Sequence, residues 1–207
     1  MTGIRVLIVE DEPLIAKNIS MYLNNNDYAV AAIAYDSDDA IYQLKKQQPD
    51  FAILDINLES DKTGIDIADF INKNNFIPFI YLTSYSDKET IDKAKITNPA
   101  GFIVKPFNEK TLYATIEIAL SNHAQQANKH VPILSAEKIN RHLVTGLTDR
   151  EFDVVKLMYD GKTNQQIADE LYIAMNTLKK HINNAYFKMD ATSRSTALAK
   201  LREFMMQ

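Results

Sequence analysis

The chain has 207 residues, 46% hydrophobic and 24% charged, which suits one large globular domain or two small ones. It has no cysteine, which excludes disulfides and thiolate chemistry, and no apolar run near the roughly 20 residues of a membrane span, so a cytoplasmic protein without a membrane partner is expected. Residues 1–123 hold 11 Lys/Arg against 18 Asp/Glu, whereas residues 124–207 hold 12 against 9; an acidic half joined to a basic half points to a polyanion partner for the second half only.

Short apolar runs alternate with amphipathic stretches through residue 123. The runs Ile4–Val9, Ala29–Tyr35, Phe51–Leu54, Phe79–Leu82 and Gly101–Val104 are nearly continuous and rich in β-branched and aromatic residues. Strands buried on both faces of a parallel sheet have that pattern. Helices are predicted between and after them, over Pro13–Asn24, Asp38–Gln47, Gly64–Asn74, Asp87–Ile96 and Glu109–Asn122, with Ser37 and Asn108 as N-caps. Five such units predict a doubly wound α/β domain over 1–123. Residues 124–142 are polar and read as a linker, in part helical. The rest, 143–207, predicts a small all-α domain. Thr148 and Glu151 form a capping box opening Asp149–Tyr159, which Gly161 closes. Thr163 and Gln166 form a second box, opening a short helix to Leu171. Further helices are expected over Met175–Met189 and from Arg194 or Ser195 to about Met205.

Ligands of an open parallel sheet bind outside the carboxyl ends of its strands. Strand one ends in Glu10-Asp11-Glu12, strand three in Asp55, strand four in Thr83-Ser84 and strand five in Lys105-Pro106. Adjacent carboxylates repel unless a cation lies between them. Mg²⁺ is the hard ion suited to that place, with Mn²⁺ as a substitute. A carboxylate beside such an ion can attack a phosphoryl group, while an ammonium and a hydroxyl neutralise its oxygens. Glu12 reads as a solvated charge at a helix start.

The segments Val6–Glu12, Ile53–Ile56, Leu82–Ser84 and Val104–Phe107 occur together and in order, and they resemble the receiver domain of bacterial two-component response regulators over residues 4 to about 122. The resemblance implies a flavodoxin-like sheet of order 2-1-3-4-5 and transfer of a phosphoryl group from a histidine kinase to Asp55. It implies Mg²⁺ held by Asp11, Asp55 and the Asn57 backbone carbonyl, with Glu10 acting indirectly. Thr83 is then the switch hydroxyl, assisted by Ser84, and Lys105, before a cis Pro106, binds the phosphate. Phe102 follows Thr83 or simply packs in the core. No enzymatic role is expected beyond the receiver's own gain and loss of the phosphoryl group. The acidic pair departs from the commoner Asp-Asp. The loop Ile56–Gly64 is about two residues long for the family and lacks its proline, which leaves Glu59 and Asp61 without assigned roles. Asn57 and Tyr85 match positions that tune phosphoryl lifetime.

In the second half, Leu147–Glu151, Gly161–Leu171, Asn176–His181 and Lys188-Met189 resemble a LuxR-type helix-turn-helix over about 143–204. Leu178, Ile182, Ala185 and Tyr186 give the third helix an apolar stripe, opposite Asn176, Lys179, Lys180, Asn183 and Asn184. Such a face fits the major groove, and by resemblance Lys179, Lys180 and Asn183 meet bases. Thr163, Asn164, Thr177, His181, Lys188 and Arg194 are candidate phosphate contacts. Ala174 stands where relatives carry a Ser cap. The expected partners are the kinase, double-stranded DNA with an inverted-repeat site, and a second copy of the chain on activation. A phosphate sink whose helical domain meets only protein is the competing reading; a phosphohydrolase is weaker, for want of a general acid.

Overall fold

A computed structural model describes residues 3–24, 27–58, 62–74, 77–84 and 88–206. Among these, β1 (Ile4–Val9), β2 (Tyr28–Ala34), β3 (Phe51–Asp55), β4 (Phe79–Thr83) and β5 (Gly101–Val104) form one sheet in the order β2-β1-β3-β4-β5. Pairing is parallel, with Val6 opposite Phe51, Ile53 opposite Ile80 and Leu82 opposite Ile103. Every residue of β3 and β4 is buried, as their continuous apolar sequence requires. β2 lies at the edge and is only half-buried through its middle.

Five helices accompany the strands: α1 (Pro13–Leu23), α2 (Ser37–Gln47), α3 (Gly64–Asn74), α4 (Lys88–Ile96) and α5 (Glu109–Asn128). One core layer joins Leu7, Val9 and Leu54 of the sheet to Leu44, Ile67 and Ile71 of α2 and α3. The cap of α2 is Asp36, whose carboxylate accepts from the Asp39 amide at 2.8 Å, so Ser37 is the first helical residue and not the cap. Asn108 caps α5 as expected, accepting from the Thr111 amide at 2.9 Å. Asp87, the predicted start of α4, lies outside the described residues. Gly64 opens α3 under the end of β3, where a Cβ would sit 2.0 Å from the Asp55 carbonyl oxygen. Only glycine allows the chain to return that close to the site.

The chain divides into two compact units, one over Arg5–Leu120 and one that gathers Ser121–Gln207. In the second, α6 (Ala136–Arg141), α7 (Asp149–Tyr159), α8 (Asn164–Glu170), α9 (Met175–Lys188) and α10 (Arg194–Met206) surround a core of Val154, Met158, Ile167, Leu178, Ile182 and Leu201. Both predicted capping boxes are formed, and Gly161 takes φ 85° after α7. α5 runs six residues beyond its predicted end, Asn122. The stretch read as a linker therefore holds the last turn of α5 and all of α6. Asn128 accepts from Arg202 Nε at 3.0 Å and donates to the Tyr159 carbonyl at 2.8 Å, and Ile139 of α6 is fully buried. No helix among the described residues is long and apolar enough to cross a membrane.

Candidate functional site

The carboxyl ends of β1, β3, β4 and β5 bring the predicted chemistry to one edge. Glu10 follows β1 and is fixed by its amide, which donates to the Ala34 carbonyl of β2 at 3.1 Å. Asp55 closes β3 and Thr83 closes β4; the Lys105 amide donates to the Thr83 carbonyl at 2.8 Å. Glu10, Asp55 and Thr83 are all buried. The Lys105 ammonium lies 2.7 Å from Asp55 Oδ2 and bridges both oxygens of Glu10, 2.7 Å from Oε2 and hydrogen-bonded to Oε1 at 2.9 Å. The Asn57 amide donates to Asp55 Oδ1 at 3.1 Å.

Asp11 joins this group: Glu10, Asp11 and Asp55 each present an oxygen within 4.8 Å of the others. Three carboxylates against one ammonium leave an excess of negative charge in a largely buried place. Burial pushes the Glu10 carboxyl up to about 7, with the Asp55 charge adding to the push and Lys105 opposing it. Burial works against the Lys105 ammonium, yet Asp55 and Glu10 hold its pKa above the usual lysine value. A set of hard oxygen donors with surplus negative charge fits a divalent cation of the Mg²⁺ type. Ser84 is exposed at the rim, and the Lys105–Pro106 bond is cis. Phe102 is half-buried with its ring 5.6 Å from that of Tyr81, against the core. Glu59, Asp61 and Tyr85 lie outside the described residues.

The second candidate surface is α9. Leu178, Ile182, Ala185 and Tyr186 are buried, while Asn176, Thr177, Lys180, Asn183 and Asn184 are exposed and Lys179 and His181 half-exposed. Four predicted phosphate contacts do not belong to this surface. Lys188 is turned inward, 2.7 Å from the buried Glu151 and donating to the Gly146 carbonyl at 2.9 Å. Arg194, 5% exposed, donates to the carbonyls of Met158 and Lys162. Thr163 and Asn164 are each 1% exposed, and the Thr163 hydroxyl caps α8. Lys188 and Arg194 are thus tied to neighbouring elements, and the Thr163 hydroxyl to its own helix. Sequence reasoning also passed over Phe187, 88% exposed on α9.

Residues 6–117 match the family described as the response regulator receiver domain. The chain belongs to the response-regulator family. Residues 145–201 of this regulator match a second family, the bacterial regulatory proteins of the luxR family, so a receiver is joined to a LuxR-type DNA-binding domain. It is 27% identical to the response regulator protein VraR of Staphylococcus saprophyticus, over 94% of each chain. It is also 27% identical to the transcriptional regulatory protein DesR of Bacillus subtilis, over 97% of each. Among solved structures, the signal receiver domain of a modulated diguanylate cyclase from Desulfovibrio desulfuricans is 32% identical, with a TM-score of 0.56. It covers 59% of this chain and 97% of its own. Full-length FixJ from B. japonicum, 19% identical over 100% of both chains with a TM-score of 0.55, shares the fold.

Proposed function

We propose that this regulator is a transcription factor switched by phosphorylation of Asp55. The observation that carries the reading is the Lys105 ammonium lodged between Asp55 and Glu10, beside Asp11, at the carboxyl edge of the sheet. In this reading Asp11, Asp55 and the Asn57 carbonyl hold Mg²⁺ directly, and Glu10 acts at one remove. When bound, the ion neutralises phosphoryl oxygen charge and lets the acids stay ionised together. Asp55 attacks phosphorus with a carboxylate oxygen; the bond from phosphorus to the kinase's histidine nitrogen breaks, and that nitrogen keeps the electron pair. Lys105 shifts from carboxylate to phosphoryl oxygen, the Thr83 hydroxyl donates to another, and Phe102 follows Thr83. The new charge acts only through its different interaction with two states of the receiver. The favoured state pairs two copies, in the cytoplasm, on an inverted-repeat site, where the second domain binds at high effective concentration. Asn176, Lys179, Lys180 and Asn183 face the major groove, with Thr177 and His181 at the backbone.

The test uses the full chain with Mg²⁺ and a small acyl-phosphate donor. Intact-mass analysis is expected to find one phosphoryl group on the wild type and none on Asp55→Asn, and a labelled Asp55→Asn chain would end the assignment. Binding to random-sequence duplexes is expected to weaken steeply with salt and on Lys179→Ala; salt-independent binding to protein alone would favour the phosphate-sink alternative.

A further inference from the structure

The face of α9 that carries the amides and the exposed Lys180 also carries one large apolar ring. Asn176, Lys180, Asn183 and Phe187 stand at i, i+4, i+7 and i+11, within an arc of roughly 60° at 3.6 residues per turn. Asn176, Thr177, Lys180, Asn183, Asn184 and Phe187 are the exposed residues of α9, and Phe187 is the only apolar one among them. Its ring is 88% exposed, while the neighbouring Tyr186 and Met189 are buried. A phenylalanine held in water this way gains free energy if it is buried later. A single exposed apolar residue on a polar surface is unremarkable. Here the surrounding residues decide what covers it. α9 contains no acidic residue, so its exposed face suits a polyanion. In the DNA-binding reading above, that face is the one that enters the major groove.

In the major groove, the apolar feature at a base edge is the 5-methyl group of thymine. A guanine, a cytosine or an adenine would leave the ring against hydrogen-bonding edges with nothing to offer them. The amides of Asn176 and Asn183 suit adenine edges, and Lys180 suits guanine. We infer that Phe187 is a specificity-determining residue that selects a thymine by packing on its 5-methyl group, as the apolar end of the reading stripe on α9. The inference rests on the DNA-binding reading above.

The experiment selects preferred duplexes from a random library with the full-length wild type, then replaces each thymine of the selected site in turn by deoxyuridine. That exchange removes only the methyl group and keeps the base pair. The wild type is expected to lose about fourfold in affinity at one thymine per half-site, the worth of one buried carbon. Phe187→Ala is expected to bind thymine and deoxyuridine at that position equally and to select no base there, while its salt dependence is unchanged. Phe187→Leu is expected to keep part of the methyl preference. Because the ring is exposed, both variants should melt with the wild type. A wild type indifferent to every thymine-to-uridine exchange, or a Phe187→Ala chain that keeps the preference, overturns the inference and leaves the DNA-binding reading standing. Loss of self-association in Phe187→Ala with thymine preference intact would assign the ring to a second copy of the chain and overturn it too. A wild type that enriches no duplex would remove the DNA-binding reading, and this inference with it.

Discussion

Each of the two units holds one inward-turned lysine, and the two lysines differ in what they face. Lys105 in the receiver and Lys188 in the helical unit each place an ammonium 2.7 Å from a buried glutamate. Lys188 faces one acid, Glu151, whose carboxylate also accepts from the Thr148 amide at 2.9 Å. Burial pushes the Glu151 carboxyl up, but the bonds from Lys188 and Thr148 outweigh it and hold the group below the ordinary range. Lys105 faces two acids with Asp11 beside them, and Glu10 is driven the other way, to about 7. The same pair of residue types is thus a matched pair in one unit and part of the acidic candidate site in the other. Charge balance separates them: a matched pair has nothing left to bind, whereas a surplus of carboxylate does.

The largest effect expected is on the matched pair. Lys188→Met leaves Glu151 buried without its cation, which costs about 3–5 kcal/mol. Amide hydrogen exchange in α7 and α9 should report that loss while β3 and β4 keep their protection; equal exchange in α7 would show that Lys188 is no brace. The surplus site should respond to cation instead. Mg²⁺ at 100 times its dissociation constant is expected to stabilise the receiver by about 2.7 kcal/mol, read from exchange in β3 and β4. Chelator should reverse the gain and Asp11→Asn should abolish it; an equal gain in α7 would mean a non-specific effect of salt.

The pH dependence should have opposite signs in the two units. Folded Glu10 holds its proton more tightly than the unfolded chain does. Under chelator the receiver should therefore lose stability as pH rises from about 4.5 through about 7, and Glu10→Gln should flatten that slope. Folded Glu151 holds its proton less tightly, so the helical unit should lose stability as pH falls below about 4.5, with Glu151→Gln removing the dependence. Denaturation followed unit by unit by exchange would reveal slopes of the same sign, if the comparison is wrong. The smallest effect lies at the start of α9. Ala174 has the extended backbone of an N-cap, φ −66° and ψ 148°, but no side-chain cap bond. Ala174→Ser is expected to add about 1 kcal/mol to the helical unit, measurable as a rise in its denaturation midpoint.

The two surfaces were not equally legible in the sequence. Acids, hydroxyl and lysine at strand ends can be read directly, because a parallel sheet carries every strand end to one edge. The sheet order came with the family resemblance, whereas the convergence of Glu10, Asp11, Asp55, Thr83 and Lys105 needed no knowledge of side-chain packing. On the helical unit, a basic residue's role depends on what lies opposite it. Glu151 is 37 positions before Lys188, and the carbonyls that hold Arg194 belong to Met158 and Lys162. Nothing local to Lys188 or Arg194 signals those partners, so both read as phosphate contacts. The end of α5 was hidden for another reason: Gln125, Gln126 and Asn128 carry no apolar stripe, and their helix is held by polar bonds from α7 and α10. Asp36 and Ser37 are both good caps, and composition alone does not choose between adjacent candidates.

The bonds of Asn128 bear on where the polypeptide can be cut. A fragment beginning at Val144 would carry every helix-turn-helix motif, yet it would lack the amide that links the Tyr159 carbonyl to Arg202, and the buried side chains of Leu134 and Ile139. A piece that keeps these contacts begins some twenty positions before its recognisable motifs, and one cut at the motif boundary is expected to melt earlier than one that starts before Asn128.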